Sequence, residues 1–193
     1  SSLSALTANP SDTATRQSVL TAANTLTSAF NSAANQMAQI SAGLNTQAGS
    51  IVGQVNALTT TIASLNKQIG SVSPNADAGT LEDQRQLAIA QLSKLVGLDQ
   101  ITTESNGITL TTTNGAVLVS GNQSFALQTT QIAGVTHLIA GATGQDVTTG
   151  LPDSQLGGVL QARDQQLAAS TSALDNLAYA IGTQVNTQNA AGL

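Results

Sequence analysis

Between residues 37 and 69, apolar residues recur at seven-residue spacing. Two such sets run in parallel, offset from each other by four and then three residues. Read as heptad positions, they are Met37, Leu44, Ile51, Leu58 and Leu65 at d, and Ala48, Val55, Ile62 and Ile69 at a. Most of the positions between them carry Gln, Asn, Ser or Thr. This pattern predicts a long amphipathic helix whose apolar stripe is covered by partner helices.

The first helix is expected to begin near residue 12 and to reach about residue 70. Pro10 cannot continue a preceding helix, whereas Ser11 or Asp12 can cap the next one. Asp12 and Arg16 stand four residues apart, which predicts a modest ion pair. A glycine in a helix interior lowers helix stability by about 1 kcal/mol. The alternative to one continuous helix is therefore two helices that meet near Gly43.

Two further helices are predicted downstream. A turn over residues 70–75 precedes the second helix, which starts at Gly79 or Thr80 and ends near Val96, with Gly97 as its C-cap glycine. The last helix is expected over residues 154–190. Its apolar stripe consists of Leu156, Leu160, Leu167, Leu174, Ile181 and Val185. This stripe is a natural partner for that of the first helix.

Over residues 98–150 the pattern changes from helical to alternating. Apolar and polar residues alternate around Leu110, Val119 and Leu127, and residues 135–140 form a further predicted strand. Asn-Gly or Gly-Asn pairs separate these runs, as hairpin turns require. A small antiparallel meander is predicted, with one face packed and the other polar.

These elements predict a mainly α protein with a small antiparallel β part (α+β). The expected architecture is an elongated bundle of long, coiled-coil-like helices with an inserted β-meander. In domain terms, residues 1–97 and 151–193 form the helical bundle, and residues 98–150 form the inserted meander packed on the helices.

Composition excludes several classes of function. Charged residues make up 8% of the 193-residue chain and aromatic residues 2%, and the net charge is −5. The five basic residues are scattered, so no phosphate-binding patch for nucleic acid is expected. The chain has no cysteine, which excludes disulfides and thiolate chemistry. No apolar run approaches the length of a membrane span and no signal peptide is recognisable, so no membrane association is expected.

Few residues are candidates for chemistry. His137 is the only histidine, and it is interpreted as structural because the sequence places no nucleophile beside it. Glu82, Asp83 and Asp164 are candidate acids. Arg85 and Arg163 stand next to these acids in the sequence. An inter-helix salt-bridge cluster and a solvated helix face are therefore equally good interpretations. Gly157-Gly158 lacks the lysine of a phosphate-binding loop, so it indicates close helix packing or a helix start. No catalytic, cofactor-binding or metal site is therefore predicted, and the chain is not expected to be an enzyme.

Three ordered stretches resemble one family. The first is Asn9-Pro10-Ser11-Asp12 with Arg16-Gln17, Val19-Leu20 and Phe30-Asn31; the second is Leu81-Glu82-Asp83-Gln84-Arg85 with Leu92-Ser93 and Leu95-Val96-Gly97; the third is Leu156-Gly157-Gly158-Val159-Leu160 with Arg163-Asp164, Gln184-Val185-Asn186 and Ala190-Ala191-Gly192. In this order they are similar to the flagellar hook-associated protein 1 (FlgK) family. The resemblance covers essentially the whole chain, and Asn189 departs from it where the family often has His.

The resemblance implies a structural subunit of the bacterial flagellum. Members of the family form the hook–filament junction, template filament assembly, leave the cell by type III export and assemble outside it. The implied partners are the flagellar hook protein, the other hook-associated junction protein and further copies in the ring. The family's outermost helices and outer domains lie outside this sequence, as does the region expected to bind an export chaperone. The chain by itself is therefore expected to be a monomer.

A second class of function remains open from the residues alone. A helical bundle with a neutral polar surface is also suited to act as a binding module for a single soluble partner. The two interpretations differ in how many surfaces are used, because an axial subunit contacts several neighbours and a binding module contacts one.

Overall fold

The computed structural model describes residues 5–6, 8–72, 78–102, 108–132, 134–151 and 153–190. Its helices are α1 (Thr13–Ser71), α2 (Gly79–Leu95), α3 (Gln155–Gln161) and α4 (Ala168–Ala190), with a π-helical segment, Ala162–Leu167, between the last two. The strands are β1 (Leu98–Thr102), β2 (Ile108–Thr112), β3 (Val117–Ser120), β4 (Gln123–Ser124), β5 (Leu127–Ile132) and β6 (Val135–Ala140). The predicted α+β class is confirmed.

Helix α1 is continuous through Gly43, so the alternative of two helices is wrong. Asp12 caps the helix, because its carboxylate accepts hydrogen bonds from the backbone amides of Ala14 and Thr15, each at 3.2 Å. Arg16 does not use the predicted partner Asp12: its Nε donates to the carbonyl of Pro10 at 2.8 Å. The predicted turn at 70–75 begins later than expected, since α1 includes Ser71, and residues 73–75 lie outside the described part.

The buried face of α1 is broader than a two-position heptad seam. All four a residues are buried, and so are Val52, Thr59 and Asn66 at position e. Leu58, a d residue, is only partly buried. The face is broader because the stripe packs against strands and short helices, which cover more of a helix than one partner helix does. The stripe is predicted to be covered by partner helices; in the structure, strands cover part of it as well.

Helix α2 ends without the predicted glycine cap. The cap residue is Val96, in extended conformation with φ −136° and ψ 145°. Gly97 has no left-handed backbone, because the chain continues directly into β1 at Leu98. The connection from α2 to β1 therefore contains no residue in the left-handed conformation that a glycine cap provides.

The strands form two sheets rather than the single meander predicted. The first is a four-stranded antiparallel sheet in the order β1-β2-β3-β4, and the second is the hairpin β5-β6. At the start of β5, the backbone of Leu127 hydrogen-bonds to the side chain of Asn56 on α1. In the first sheet, a register shift at Leu110/Thr111 allows both Leu118 and Val119 to be buried, whereas strict alternation buries only one.

The last helical stretch occupies the predicted residues but changes its winding. Ser154 caps α3 by accepting a hydrogen bond from the amide of Gly157 at 3.1 Å. A Cβ on Gly157 would lie 1.7 Å from the carbonyl oxygen of Leu151, whereas one on Gly158 would meet nothing within 4 Å. Of the two interpretations of this glycine pair, the helix start is confirmed, and the close contact of Gly157 is with the loop carbonyl of Leu151.

The chain divides into two compact units. We call residues 1–42 and 164–193 the helical unit and residues 43–163 the mixed unit. The apolar core lies in the mixed unit, where it includes Ile62, Leu92, Leu110, Leu138 and Leu156. The boundaries of these units fall within α1 and the π-helical segment. The division into a helical bundle and an inserted meander stays a prediction.

Candidate functional site: polar clamps and exposed helix faces

Asn66 makes the first polar connection between helix α1 and the strands. Its Nδ2 donates to the carbonyl of Ile108 at 3.2 Å and to that of Gly121 at 2.7 Å. Its Oδ1 accepts from Nη1 of the buried Arg85, on α2, at 3.0 Å. One buried amide therefore fixes α1, α2 and two points of the first sheet, with its donors and its acceptor all in use.

Asn56 makes a second connection, to the hairpin. Its Nδ2 donates to the carbonyl of Leu127 at 2.9 Å, and its Oδ1 accepts from the amide of the same residue at 2.8 Å. The side-chain amide thus copies the pairing that a neighbouring strand would offer. It occupies backbone groups at the edge of β5 that would otherwise lack a protein partner.

Arg163 makes the third connection, from the π-helical segment. Its buried Nη1 donates to Oδ1 of Asn45 at 2.9 Å and to the carbonyl of Thr136, on β6, at 2.7 Å. A buried arginine requires such acceptors, because an isolated buried charge is strongly disfavoured. This contact joins α1, the hairpin and the last helical stretch of the mixed unit.

Together Asn45, Asn56 and Asn66, with their partners, form what we call the clamp row. At 100° per residue the three asparagines fall within an arc of about 80° on one side of α1. Asn45 and Asn66 are 21 residues apart, which at 1.5 Å per residue is about 31 Å.

Arg85 and Arg163, which bind the two ends of the clamp row, therefore cannot belong to one salt-bridge cluster. The predicted cluster that unites them is wrong, as is the alternative of a solvated face for these two side chains. Of the candidate acids, Glu82 is half-buried in the first turn of α2, and Asp83 and Asp164 are exposed.

His137 lies beside a carboxylate that the sequence did not indicate. Its Nδ1 is 2.6 Å from Oδ2 of Asp146, nine residues further along the chain. The hydroxyl and amide of Thr148 both donate to Oδ1 of Asp146, and these bonds, more than the contact with His137, hold the pKa of Asp146 below its ordinary value. The Thr148 hydroxyl also accepts from the amide of Leu138 at 2.9 Å.

This group ties residues 146–148 to the edge of β6. In addition, the amide of Val147 donates to the carbonyl of Leu138 at 2.8 Å. The Thr148 hydroxyl lies 2.5 Å from Oδ1 of Asp146 and 3.4 Å from Nδ1 of His137, so its shorter contact is with the carboxylate rather than with the imidazole. The interpretation of His137 as a structural residue stays a prediction.

Among the described residues, no group of three or more His, Cys, Asp or Glu side chains could hold a metal ion. None of the helices described is at once long and apolar enough to cross a membrane.

The clamp row is the feature that sequence reasoning missed. The asparagines of α1 were interpreted as part of a neutral polar surface. The signal that could have identified them is their spacing of 11 and then 10 residues, which keeps them near the buried stripe of one helix. Asp146 gave no comparable signal, because its contact with His137 depends on the path of a loop.

The helical unit presents apolar side chains to solvent. Among the described residues of this unit none is buried, although Phe30, Met37, Leu174 and Ile181 are half-buried. The hydroxyl of Thr171 lies 3.5 Å from the sulfur of Met37, which places α4 beside α1 within this unit. Its exposed large apolar residues are Leu20, Leu26, Ile40, Leu177, Tyr179 and Val185. Together these six residues are the exposed apolar faces of the helical unit.

The fold and these contacts define a structural module. Its buried polar groups hold elements together, and its apolar helix faces remain available for packing. The family model "Flagellar hook-associated protein FlgK helical domain" matches residues 1–193. The chain belongs to this family.

Individual relatives agree with this assignment. The chain is 29% identical to flagellar hook-associated protein 1 of Salmonella typhimurium and 28% identical to that of Escherichia coli K12, in both cases over 99% of this chain. The solved structure of the flagellar hook junction protein FlgK from Burkholderia pseudomallei is 32% identical, with a TM-score of 0.88 over 97% of this chain. The chain spans 36% of the Salmonella protein, 37% of the E. coli protein and 36% of the Burkholderia chain.

Proposed function

We propose that the protein to which this chain belongs is a structural subunit of the hook–filament junction that templates assembly of the flagellar filament. The observation that carries the proposal is the match of the FlgK helical domain over all 193 residues. The Burkholderia relative, described as a flagellar hook junction protein, shares the fold at a TM-score of 0.88.

The surface of the helical unit supports an assembly role. Leu20 is 58% exposed, Leu177 54% and Tyr179 76%, on helices that bury no described residue of this unit. Apolar residues exposed on long helices are suited to packing against other helices. The proposed partners are neighbouring copies in the ring, the hook protein and the other hook-associated junction protein. The proposed place of assembly is outside the cell, and the proposed route to it is type III export.

Low charge fits the same role. With 8% charged residues, the chain presents Ser, Thr, Asn and Gln to its surroundings, so close neighbours meet little electrostatic repulsion. The family comparisons favour this role over a binding module for one soluble partner. An export chaperone is proposed to bind outside this sequence.

Deletion of the gene in its flagellated host tests the proposal. Electron microscopy should show hooks without filaments, with filament subunits released into the medium. The full-length gene supplied in trans should restore filaments. A structurally unrelated protein exported by the same route serves as the control and should not restore them. Normal filaments on the deletion strain would contradict a junction role.

A further inference from the structure

The turn between β2 and β3 contains an asparagine whose side chain is fully engaged. Nδ2 of Asn114 donates to the carbonyl of Val147 at 3.2 Å and to that of Thr149 at 2.8 Å, and Oδ1 accepts from the hydroxyl of Thr112. Both donor protons and the acceptor of the amide are therefore used. The amide holds residues 147–149 against the first sheet.

The segment over residues 146–150, which we call the strap, packs closely on this turn. A Cβ on Gly150, which has φ +86°, would lie 3.2 Å from Cβ of Asn114. The hydroxyl of Thr113 donates to the carbonyl of Gly150 at 3.1 Å. Thr148 and Val147 attach the strap to Leu138 on its other side.

Asn114 is followed by a glycine that the turn requires. Gly115 has φ +88°, a conformation that residues with a Cβ rarely adopt. An Asn-Gly pair is the dipeptide in which the following amide nitrogen can most easily reach the asparagine side chain, because glycine offers no side chain to block it. The turn thus places a chemically labile pair where the fold needs both residues.

We propose that Asn114-Gly115 is a latent deamidation site that the attached strap keeps closed. In the reaction, the amide nitrogen of Gly115 bonds to Cγ of Asn114, the Cγ–Nδ2 bond breaks, and ammonia leaves. Water then opens the resulting succinimide to an aspartyl or isoaspartyl residue, with no oxidant or reductant involved.

The folded geometry opposes this reaction in two ways. The Gly115 nitrogen donates to the carbonyl of Thr112 at 2.8 Å, so it is held away from the Asn114 side chain. The side chain itself is anchored to two strap carbonyls. Attack requires both sets of bonds to open, which ties the rate to local unfolding of the strap.

The product cannot remake the two bonds that Nδ2 of Asn114 donates to the strap. A carboxylate at position 114 only accepts hydrogen bonds, and it would face the carbonyl oxygens of Val147 and Thr149 without a proton to offer either. One opening followed by reaction therefore removes the two bonds from position 114 to the strap permanently, while the bonds from Thr113 and to Leu138 remain. Asn45, Asn56 and Asn66 of the clamp row are each followed by a residue with a side chain and do not share this chemistry.

Peptide mapping by mass spectrometry tests the proposal. The 193-residue chain is incubated in mildly alkaline buffer, native and in urea, and amide-to-acid conversion at position 114 is followed with time. Conversion in the native protein should be slower by roughly tenfold or more, because opening must precede it. Asn106-Gly107 serves as an internal reference in the unfolded chain. Equal native and unfolded rates at Asn114 would overturn the proposal.

Two variants distinguish the effect of strap attachment on the deamidation rate from the effect of overall stability. Thr148→Val removes the bonds of the Thr148 hydroxyl to the amide of Leu138 and to the carboxylate of Asp146 without touching the dipeptide, and it should accelerate native conversion severalfold while leaving the rate in urea unchanged. Thr61→Val, on an exposed face of α1, is the matched control and should change neither rate. Thr113→Val replaces Thr148→Val if the latter does not fold. No acceleration in the folded strap variant would show that the strap does not close the site.

Discussion

At the scale of single residues, neutral amides carry the connections between helix and strands. Asn45, Asn56 and Asn66 bind backbone carbonyls, a backbone amide and two buried arginines. A neutral hydrogen-bonded group is less costly to bury than an ion pair, because less hydration is lost. This choice suits a chain with very few charged residues.

Replacing Asn56 tests the clamp row. Asn56→Ala should lower the free energy of unfolding by about 1–3 kcal/mol, because the amide and carbonyl of Leu127 lose their partner. Gln54→Ala, on the exposed face of the same helix, should change it by less than about 0.5 kcal/mol. Urea unfolding measures both. Equal losses for the two variants would show that the clamp contributes nothing specific.

The strap should respond to acid through Asp146. Hydrogen bonds from Thr148 hold the pKa of Asp146 below the ordinary 3.8, so the ionised carboxylate favours the folded state. Its contribution is complete above about pH 3.8 and is lost as the pH falls through the folded-state value. The stability difference between the wild type and Asp146→Asn should therefore be constant near neutrality and shrink in acid.

Urea unfolding of both proteins across the acidic range provides the measurement. Asp12, whose pKa is also lowered, chiefly by the hydroxyl of Thr15, is present in both proteins and cancels in the difference. A difference that widens as the pH falls would mean that Asp146 is not stabilised as the anion.

At the scale of elements, periodicity predicted the helices well and their packing only in part. The heptads located α1 because a helix with one apolar stripe shows apolar residues at a regular spacing. The Asn-Gly pair at 114–115 correctly located a turn. The division into two sheets was beyond the pattern, and so was the bond from the start of β5 to Asn56, 71 residues before Leu127. The π-helical segment was also missed, because one local change of winding leaves the apolar stripe nearly intact.

The paired glycines at the start of α3 allow a sharp test. Gly157→Ala should destabilise the protein by more than about 2 kcal/mol, because its Cβ would overlap the carbonyl of Leu151. Gly158→Ala should be neutral or stabilising by up to about 1 kcal/mol, since the position is open and alanine favours a helix. Thermal unfolding of the two variants compares them directly. A milder effect at 157 than at 158 would contradict the packing described.

At the scale of the whole molecule, the two units have different structural characters. The mixed unit has a core in which apolar side chains and the clamp row are buried. The helical unit has no buried side chain among its described residues and exposes large apolar ones. We infer that the first unit is stabilised from within, whereas the second completes its packing with neighbouring subunits in the proposed junction.

The exposed face of α4 allows the proposed packing between subunits to be tested. Leu177→Asp in the full-length protein adds a charge to a side chain that is 54% exposed, so the fold should persist while helix packing between subunits is disrupted. Asn176→Asp adds the same charge at an exposed polar position next to it and is the control. A secretion assay and the thermal unfolding of each purified variant establish export and folding first.

Electron microscopy of cells that carry each variant as the only copy of the gene then shows whether filaments form on the hooks. We expect intact hooks, few or no filaments and free filament subunits in the medium for Leu177→Asp, with normal filaments for Asn176→Asp. Normal filaments on cells that export a folded Leu177→Asp protein would contradict the claim that the exposed apolar faces of the helical unit build the junction.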